Sequence, residues 1–449
     1  MRTCLLLVTT ISGLFLLGSC SVQKEIGRRL DADVLKDKNF INAHVGVSII
    51  DANNQASIFN YQSDKYFVPA SNTKLFTCYA ALKFLGDSIP GIRYNEDDTA
   101  IYLLPTGDPT FLHQDFVQQP IVTFLQATRK PLYITDINWD DKPFGSGWSW
   151  DDYNSSYMVE RSPLPVYGNY IRWIQEKDSN ASPTENILDQ PVFTYSIPDV
   201  NWPVRFTSDL QKKNFSVSRD KETNLFRITQ GIEMKKEQQV PFITNGLGSA
   251  LELLRDTIGK AIVQADRTPA SFGNVKTIFS RPIDSLLKPM LHNSDNFFAE
   301  QILLMVSDKR FGKMNDGLIT DTILDVELKD LPQRPRWADG SGLSRFNLFT
   351  PADFVALLYK MKNEFGMDRL RRILATGGKG TLLNFYKNDS SFIYAKTGTL
   401  SGVVALSGFL YTRKNKLYCF SVLINNHRGS AVEIRRKVEL FLSGLRRKY

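Results

Sequence analysis

The stretch Val68-Pro69-Ala70-Ser71-Asn72-Thr73-Lys74-Leu75 decides how this chain is read. Pro69 stands before an apolar-periodic run that continues through Leu85 and stops at Gly86, so the punctuation predicts a helix with Ser71 at its N-terminal end. Ser71 and Lys74 are three residues apart, which on a helix is one face, so the lysine amine reaches the serine hydroxyl. A hydroxyl becomes a nucleophile when a neighbouring base takes its proton, and a desolvated lysine is such a base. The helix start adds unpaired N–H groups and a positive dipole end, both favourable to an anion forming there. By itself the pattern is weak. S-x-x-K recurs by chance, and an N-cap serine beside a solvated lysine is its ordinary explanation.

Two later segments change that weight. Ser294-Asp295-Asn296 lies inside a helical stretch, where alone it would be a Ser/Asn helix cap. Lys396-Thr397-Gly398-Thr399 falls on a strand, where alone it would be a strand end with a glycine bulge. A glycine there also lets a substrate backbone approach the strand edge. In this order, S-x-x-K, S-D-N and K-T-G form the signature of serine β-lactamases and penicillin-binding proteins. Lys74 and Ser294 have 219 residues between them, more than a compact β-lactamase leaves.

The surrounding chain supplies an organisation. His44 to Asp51 reads as a strand, Asn53-Asn54 as a turn and Ala56 to Tyr61 as a return strand, after a helix of about 15 residues from Val22. From about Arg93 to Gly273 short β-rich pieces alternate with Asp/Asn/Gly/Pro turns, with one helix expected over Asn245 to Gln264. Helical texture returns from Ile283 to Met314 and from Pro351 to Phe365. Phe392 to Asn425 reads as three strands, and Ser430 to Leu445 as a closing helix. Hairpin and helix first, strands and helix last, imply one sheet built from both chain ends.

With 449 residues, 42% hydrophobic and 23% charged, the chain is an ordinary folded protein of two or three domains. Its charge of +8 comes largely from His427 to Tyr449, where seven Lys/Arg outnumber two Glu. That basic end reads as a solvated helix face, and no nucleic-acid partner is expected. Arg2, the apolar run Leu5 to Leu17 and then Gly18-Ser19-Cys20 read as an export signal. The run is short of the roughly 20 residues a bilayer span takes. Cys78 and Cys419 sit in apolar runs and read as buried thiols. His44, His113, His292 and His427 are isolated, without H-E-x-x-H, so neither a metal nor a cofactor is expected. G-x-S-x-G and a P-loop are also missing.

The chain resembles the class C, type-4 low-molecular-mass penicillin-binding proteins, the D-alanyl-D-alanine carboxypeptidase/endopeptidases. The likeness rests on the three motifs and on Gly107-Asp108-Pro109, Gly147-Trp148 with Trp150-Asp151-Asp152, Ala299-Glu300, Asp339 to Ser344, Gly378 to Leu382 and Leu400, spread from residue 69 to 400. It implies an α+β fold: a β-lactamase/transpeptidase-like antiparallel sheet flanked by helices, with a large mainly-β insertion between the first and second motifs. The implied domains are a signal peptide over 1–20, a catalytic domain over 21–92 and 275–449, and an insertion over 93–274. Ser71 would attack the penultimate D-alanine carbonyl of a peptidoglycan stem peptide with Lys74 as base. Ser294 would pass a proton to the leaving amine, and Asn296 would hold a substrate amide. Lys396 and Thr397 would receive the terminal carboxylate beside Gly398, and the amides of Ser71 and Thr399 would form the oxyanion hole. Asp152 would meet an amino group of the stem peptide, and β-lactams would acylate Ser71. The Asp339 to Ser344 and Gly377 to Gly380 loops would be structural. Leu-Gly-Ser-Cys resembles the bacterial lipobox, implying a periplasmic lipoprotein held to the membrane through Cys20. The prolines of Ser162-Pro163-Leu164-Pro165 depart from the family pattern. A β-lactamase, or a non-catalytic penicillin sensor of the same fold, are the alternatives.

Overall fold

A computed structural model describes residues 22–177, 192–207, 214–265 and 274–449, so the expected signal segment and Cys20 lie outside the described residues. The chain divides into two compact units: the residues before 80 with 287–295 and 320–449, and residues 80–286 with 296–319.

The first unit is built on a six-stranded sheet in the order Ala375–Thr376, Ile393–Leu400, Val403–Tyr411, Leu417–Asn425, His44–Asp51, Ser57–Tyr61. Its neighbours are all antiparallel, and the register from His44 opposite Asn425 to Asp51 opposite Tyr418 joins the two ends of the chain, as expected. Every residue of Leu417–Asn425 is buried, because this central strand is covered on both faces. Side chains alternate across a strand. Tyr418, Phe420, Val422 and Ile424 therefore join one core with Ile26 and Leu30, and with Ile434, Val438, Phe441 and Leu442 of the closing helix Ala431–Lys448. On the other face, a Cβ on Gly46 would lie 2.5 Å from the Phe67 ring and 2.8 Å from Pro351 Cγ. Pro351 opens the helix Pro351–Phe365, whose start is fixed by a capping box: Asp353 N donates to Thr350 Oγ1 and Thr350 N to Asp353 Oδ2.

Ser71 lies at the N-terminal end of its helix, as expected, on a tight turn, Ala70–Thr73, that feeds the helix Lys74–Phe84. Two expectations need correction. The helical texture after Ile283 is two helices, Asp284–His292 and Asn296–Phe311, interrupted at residues 293–295. The helix expected to reach Gln264 is Gly248–Ile258; Gly259, at φ 70°, ends it, and Ile262–Gln264 then pairs in parallel with Leu132–Ile134 as a strand.

That strand edges the five-stranded sheet of the second unit, which runs Ile262–Gln264, Leu132–Ile134, Ile101–Pro105, Ser88–Glu96, Lys276–Pro282. Two three-stranded sheets accompany it, and one core including Leu103, Trp173, Phe226, Phe242 and Leu254 binds them. Cys78 and Cys419 are buried, and neither forms a disulfide.

Candidate active site

Ser71 stands half-buried on its turn. Ala70, next to it, holds φ 48°, a conformation a non-glycine residue keeps only when its surroundings impose it. Those surroundings can be named. Thr73 Oγ1 donates to Ala70 O at 2.9 Å, and Asn72 Nδ2 donates to Ser407 Oγ at 2.7 Å, which continues to Ser421 Oγ at 2.8 Å within the sheet. The Asp339–Ser344 loop backs the turn so closely that a Cβ on Gly342, itself at φ 81°, would fall 1.9 Å from Ala70 O. Asp339 ties that loop together by accepting from Gly342 N, Ser344 N and Asn347 Nδ2 at 2.6–2.7 Å.

The loop also reaches the lysine. Lys74 Nζ lies 3.0 Å from Ser71 Oγ and donates to Ser341 O at 2.8 Å, in a side chain with no exposed surface. Thr77 Oγ1, one turn along, donates to Gly340 O at 2.6 Å. The amine is thus aimed at the hydroxyl by two fixed points. The carbonyl that supplies the second point has no signature in the sequence, since any residue carries one.

Lys396, wholly buried on the strand Ile393–Leu400, donates to Ser294 Oγ at 2.9 Å and to Thr397 O at 2.8 Å. Burial first, then the nearby positive charges of Lys74 and Arg435, hold its amine well below the ordinary lysine pKa of 10.5. Ser294 is presented at φ 61° between two helices. The Gly377–Gly380 loop props that junction, since a Cβ on Gly380 would lie 2.8 Å from His292 O. Gly398 explains the glycine of its motif: a Cβ there would lie 2.6 Å from Pro69 O and 3.1 Å from Ser71 N. The strand therefore runs against the serine turn. Ser71, Lys74, Ser294, Lys396 and Gly398, remote in sequence, share one neighbourhood of the first unit.

Pleating turns the intervening residues to the opposite face of the sheet. Thr397 borders a recess with Phe385, Leu406 and Arg435, and Thr399, exposed at the strand end, accepts a hydrogen bond from Arg435 Nη2. Arg435 was hidden in the basic helix read as solvated. The available signal is the stripe Ala431, Arg435, Val438, Leu442 at helical spacing, in which one cation interrupts apolar residues.

Asn296 and Asp152 fall in the second unit. Asn296 Nδ2 donates to Tyr157 O at 2.9 Å, tying the start of its helix to the segment that carries Asp152 on the short turn Trp150–Asp152. The same helix is anchored by Arg161, 2% exposed, whose guanidinium lies 3.6 Å from Glu300, 2.8 Å from Asp141 and 2.6 Å from Asp316. Ser162, where the prolines depart from the family pattern, exchanges hydrogen bonds with Gln301, which also donates to Gly107 O at 2.9 Å. That segment is fastened to the helix through backbone groups, which tolerate the substitutions.

Residues 28–444 match the model of the D-Ala-D-Ala carboxypeptidase 3 (S13) family. The chain is 25% identical over 462 residues to the D-alanyl-D-alanine carboxypeptidase of Actinomadura sp. (strain R39), covering 91% of this chain and 82% of that one. It is 24% identical over 482 residues to D-alanyl-D-alanine carboxypeptidase DacB of Haemophilus influenzae, covering 96% and 95%. The crystal structure of penicillin binding protein 4 from H. influenzae superposes with a TM-score of 0.69 at 20% identity, over 94% of this chain and 98% of that chain.

Proposed function

The chain belongs to the D-Ala-D-Ala carboxypeptidase 3 (S13) family, and from that premise we propose that it hydrolyses the terminal D-Ala-D-Ala bond of peptidoglycan stem peptides, and cross-links in some cases, through an acyl-enzyme on Ser71. The observation that carries the reading is the buried Lys74 amine 3.0 Å from Ser71 Oγ, beside a second buried lysine that holds Ser294 at 2.9 Å. Lys74, as the free amine, takes the proton while Oγ attacks the penultimate carbonyl carbon. The amides of Ser71 and Thr399 receive the oxyanion. The C–N bond then breaks, Ser294 passes the proton to the departing amine, and terminal D-alanine leaves a serine ester that water cleaves. Asn296 and Asp152 hold the substrate, Thr397 and Lys396 serve its carboxylate end, and β-lactams form the same ester. The 93–274 segment is an insertion in a catalytic domain of residues 21–92 and 275–449. Residues 1–20 direct export, and a lipid on Cys20 holds the mature chain to a membrane in the periplasm.

The test is incubation of the mature protein with labelled penicillin and separately with a muropeptide pentapeptide, each beside Ser71→Ala. Covalent label with D-alanine release, both lost in Ser71→Ala, is the expected result. Label without release would indicate a sensor, rapid turnover of penicillin a β-lactamase, and label that persists in Ser71→Ala would remove the site assignment.

A further inference from the structure

We propose that Arg435 is a second cation, beside Lys396, that receives the terminal carboxylate of the substrate, a specificity-determining residue on the closing helix that none of the three motifs contains. The proposal rests on the carboxypeptidase reading above and deepens it.

Lys396 leaves that task incomplete. It has no exposed surface, and two of its three donors are committed to Ser294 Oγ and Thr397 O. Burial also weakens its hold on a proton. Arg435 is placed differently. Its Nη2 donates to Thr399 Oγ1 at the exposed end of the strand. No carboxylate among the described residues pairs with it, and its Nε has no hydrogen-bond acceptor among them. Its neighbours on the helix are satisfied, Arg436 by Glu439 at 2.6 Å and Arg446 by Asp389 at 3.1 Å. An unpaired, partly desolvated guanidinium awaits an anion, and its planar fork matches a carboxylate with two parallel hydrogen bonds.

The strand supplies the approach. Ile393–Leu400 pairs with Ala375–Thr376 at Ala395 and Tyr394, so on that side the edge from Lys396 onward has no partner strand among the described residues. A peptide whose scissile carbonyl sits between the Ser71 and Thr399 amides carries its terminal carboxylate one residue away, about 4 Å along the backbone. The Thr399 hydroxyl that Arg435 grips is one residue along the strand from Gly398, whose would-be Cβ lies 3.1 Å from Ser71 N.

The decisive experiment compares the mature wild-type protein with Arg435→Gln and Arg435→Met on two substrates, a pentapeptide ending in D-Ala-D-Ala and the same peptide ending in D-alaninamide. Wild type is expected to favour the acid over the amide in kcat/KM by about ten- to a hundredfold, the scale of a charge-assisted hydrogen-bonded pair. Both variants should lose most of that preference by slowing on the acid alone, with amide turnover within about twofold of wild type. Penicillin, which carries a carboxylate, should acylate them correspondingly more slowly. Two results would overturn the inference: a wild type that treats acid and amide alike, or variants that fall equally on both substrates, which would make Arg435 a mere prop for Thr399. If Arg435→Gln does not fold, Arg435→Met, apolar like the rest of its stripe, reads the same ratio. A wild type that neither labels with penicillin nor releases D-alanine sinks the carboxypeptidase reading instead.

Discussion

Adding one methyl group at Gly342 should disable the serine without touching it. The new Cβ would lie 1.9 Å from Ala70 O and 2.8 Å from Thr73 Oγ1, whereas ordinary contact begins near 3.4 Å. The loop and the turn must therefore separate by about 1.5 Å. The loop is cross-tied by Asp339 and the turn is tied into the sheet through Asn72 and Ser407, so neither yields freely. A displacement near 1 Å at a reacting group costs on the order of a hundredfold in rate. A side chain at φ 81° adds roughly 1–2 kcal/mol of backbone strain. Gly259 is the control, left-handed at φ 70° and ψ 21° with nothing within 4 Å of its would-be Cβ. Gly259→Ala should melt slightly earlier than wild type and acylate with labelled penicillin at the normal rate. Gly342→Ala should melt lower still and acylate about a hundredfold more slowly, read by rapid-quench labelling and thermal denaturation. Equal melting and equal acylation in the two variants would show that the glycine loop does not set the position of Ser71.

Lys396→Met should cut acylation by more than tenfold while leaving the fold intact, because it removes a buried amine whose folded pKa lies well below 10.5. In that window the unfolded chain binds more protons than the folded one, so wild-type stability rises with pH; melting of wild type relative to Lys396→Met should improve from pH 7 to pH 9.5, and a constant difference refutes the burial argument. Arg161→Met leaves Asp141, Glu300 and Asp316 without their shared cation and should cost about 3–5 kcal/mol. Burial already holds the Asp141 carboxyl above its ordinary pKa, so the folded state binds protons more readily there and the deficit should shrink from pH 7.5 to pH 5 in thermal melts; a pH-independent deficit counts against the carboxylate cluster. Cys419, whose thiol burial pushes upward, and Cys78 should resist a thiol reagent in the native protein and both react in denaturant. A third reactive thiol there would show that Cys20 carries no lipid.

Much of this molecule can be read from its residues, for physical reasons that also mark where such reading stops. The Leu417–Asn425 run is apolar at almost every position because both its faces are covered, and the neighbouring His44–Asp51 is likewise buried from Val45 to Ile50. The helix Pro351–Phe365 announced its start through a proline and a capping pair. Ser71, Lys74, Ser294 and Lys396 were legible because the chemistry proposed for them requires particular side chains at fixed spacings. The turn at Ala70 was not, since its left-handed conformation is imposed by Gly342 and Gly398, which meet it only in three dimensions. The strand Ile262–Gln264 was absorbed into a helix because three residues carry no period, and its partner Leu132–Ile134 lies far upstream. Arg435 escaped because its use depends on the side of a strand that another element happens to cover.

The bed beneath the nucleophile joins distant ends of the polypeptide: Asn72 leans on Ser407, 335 positions later, and Val68 exchanges hydrogen bonds with the Asn425 side chain, 357 positions later. During synthesis, Ser71 emerges long before either support exists. An unfinished or truncated copy consequently has the reactive hydroxyl but no platform to aim it. Completion of the last strand acts as the arming step, so broken copies are inert toward the wall they are made to trim and offer a β-lactam no target.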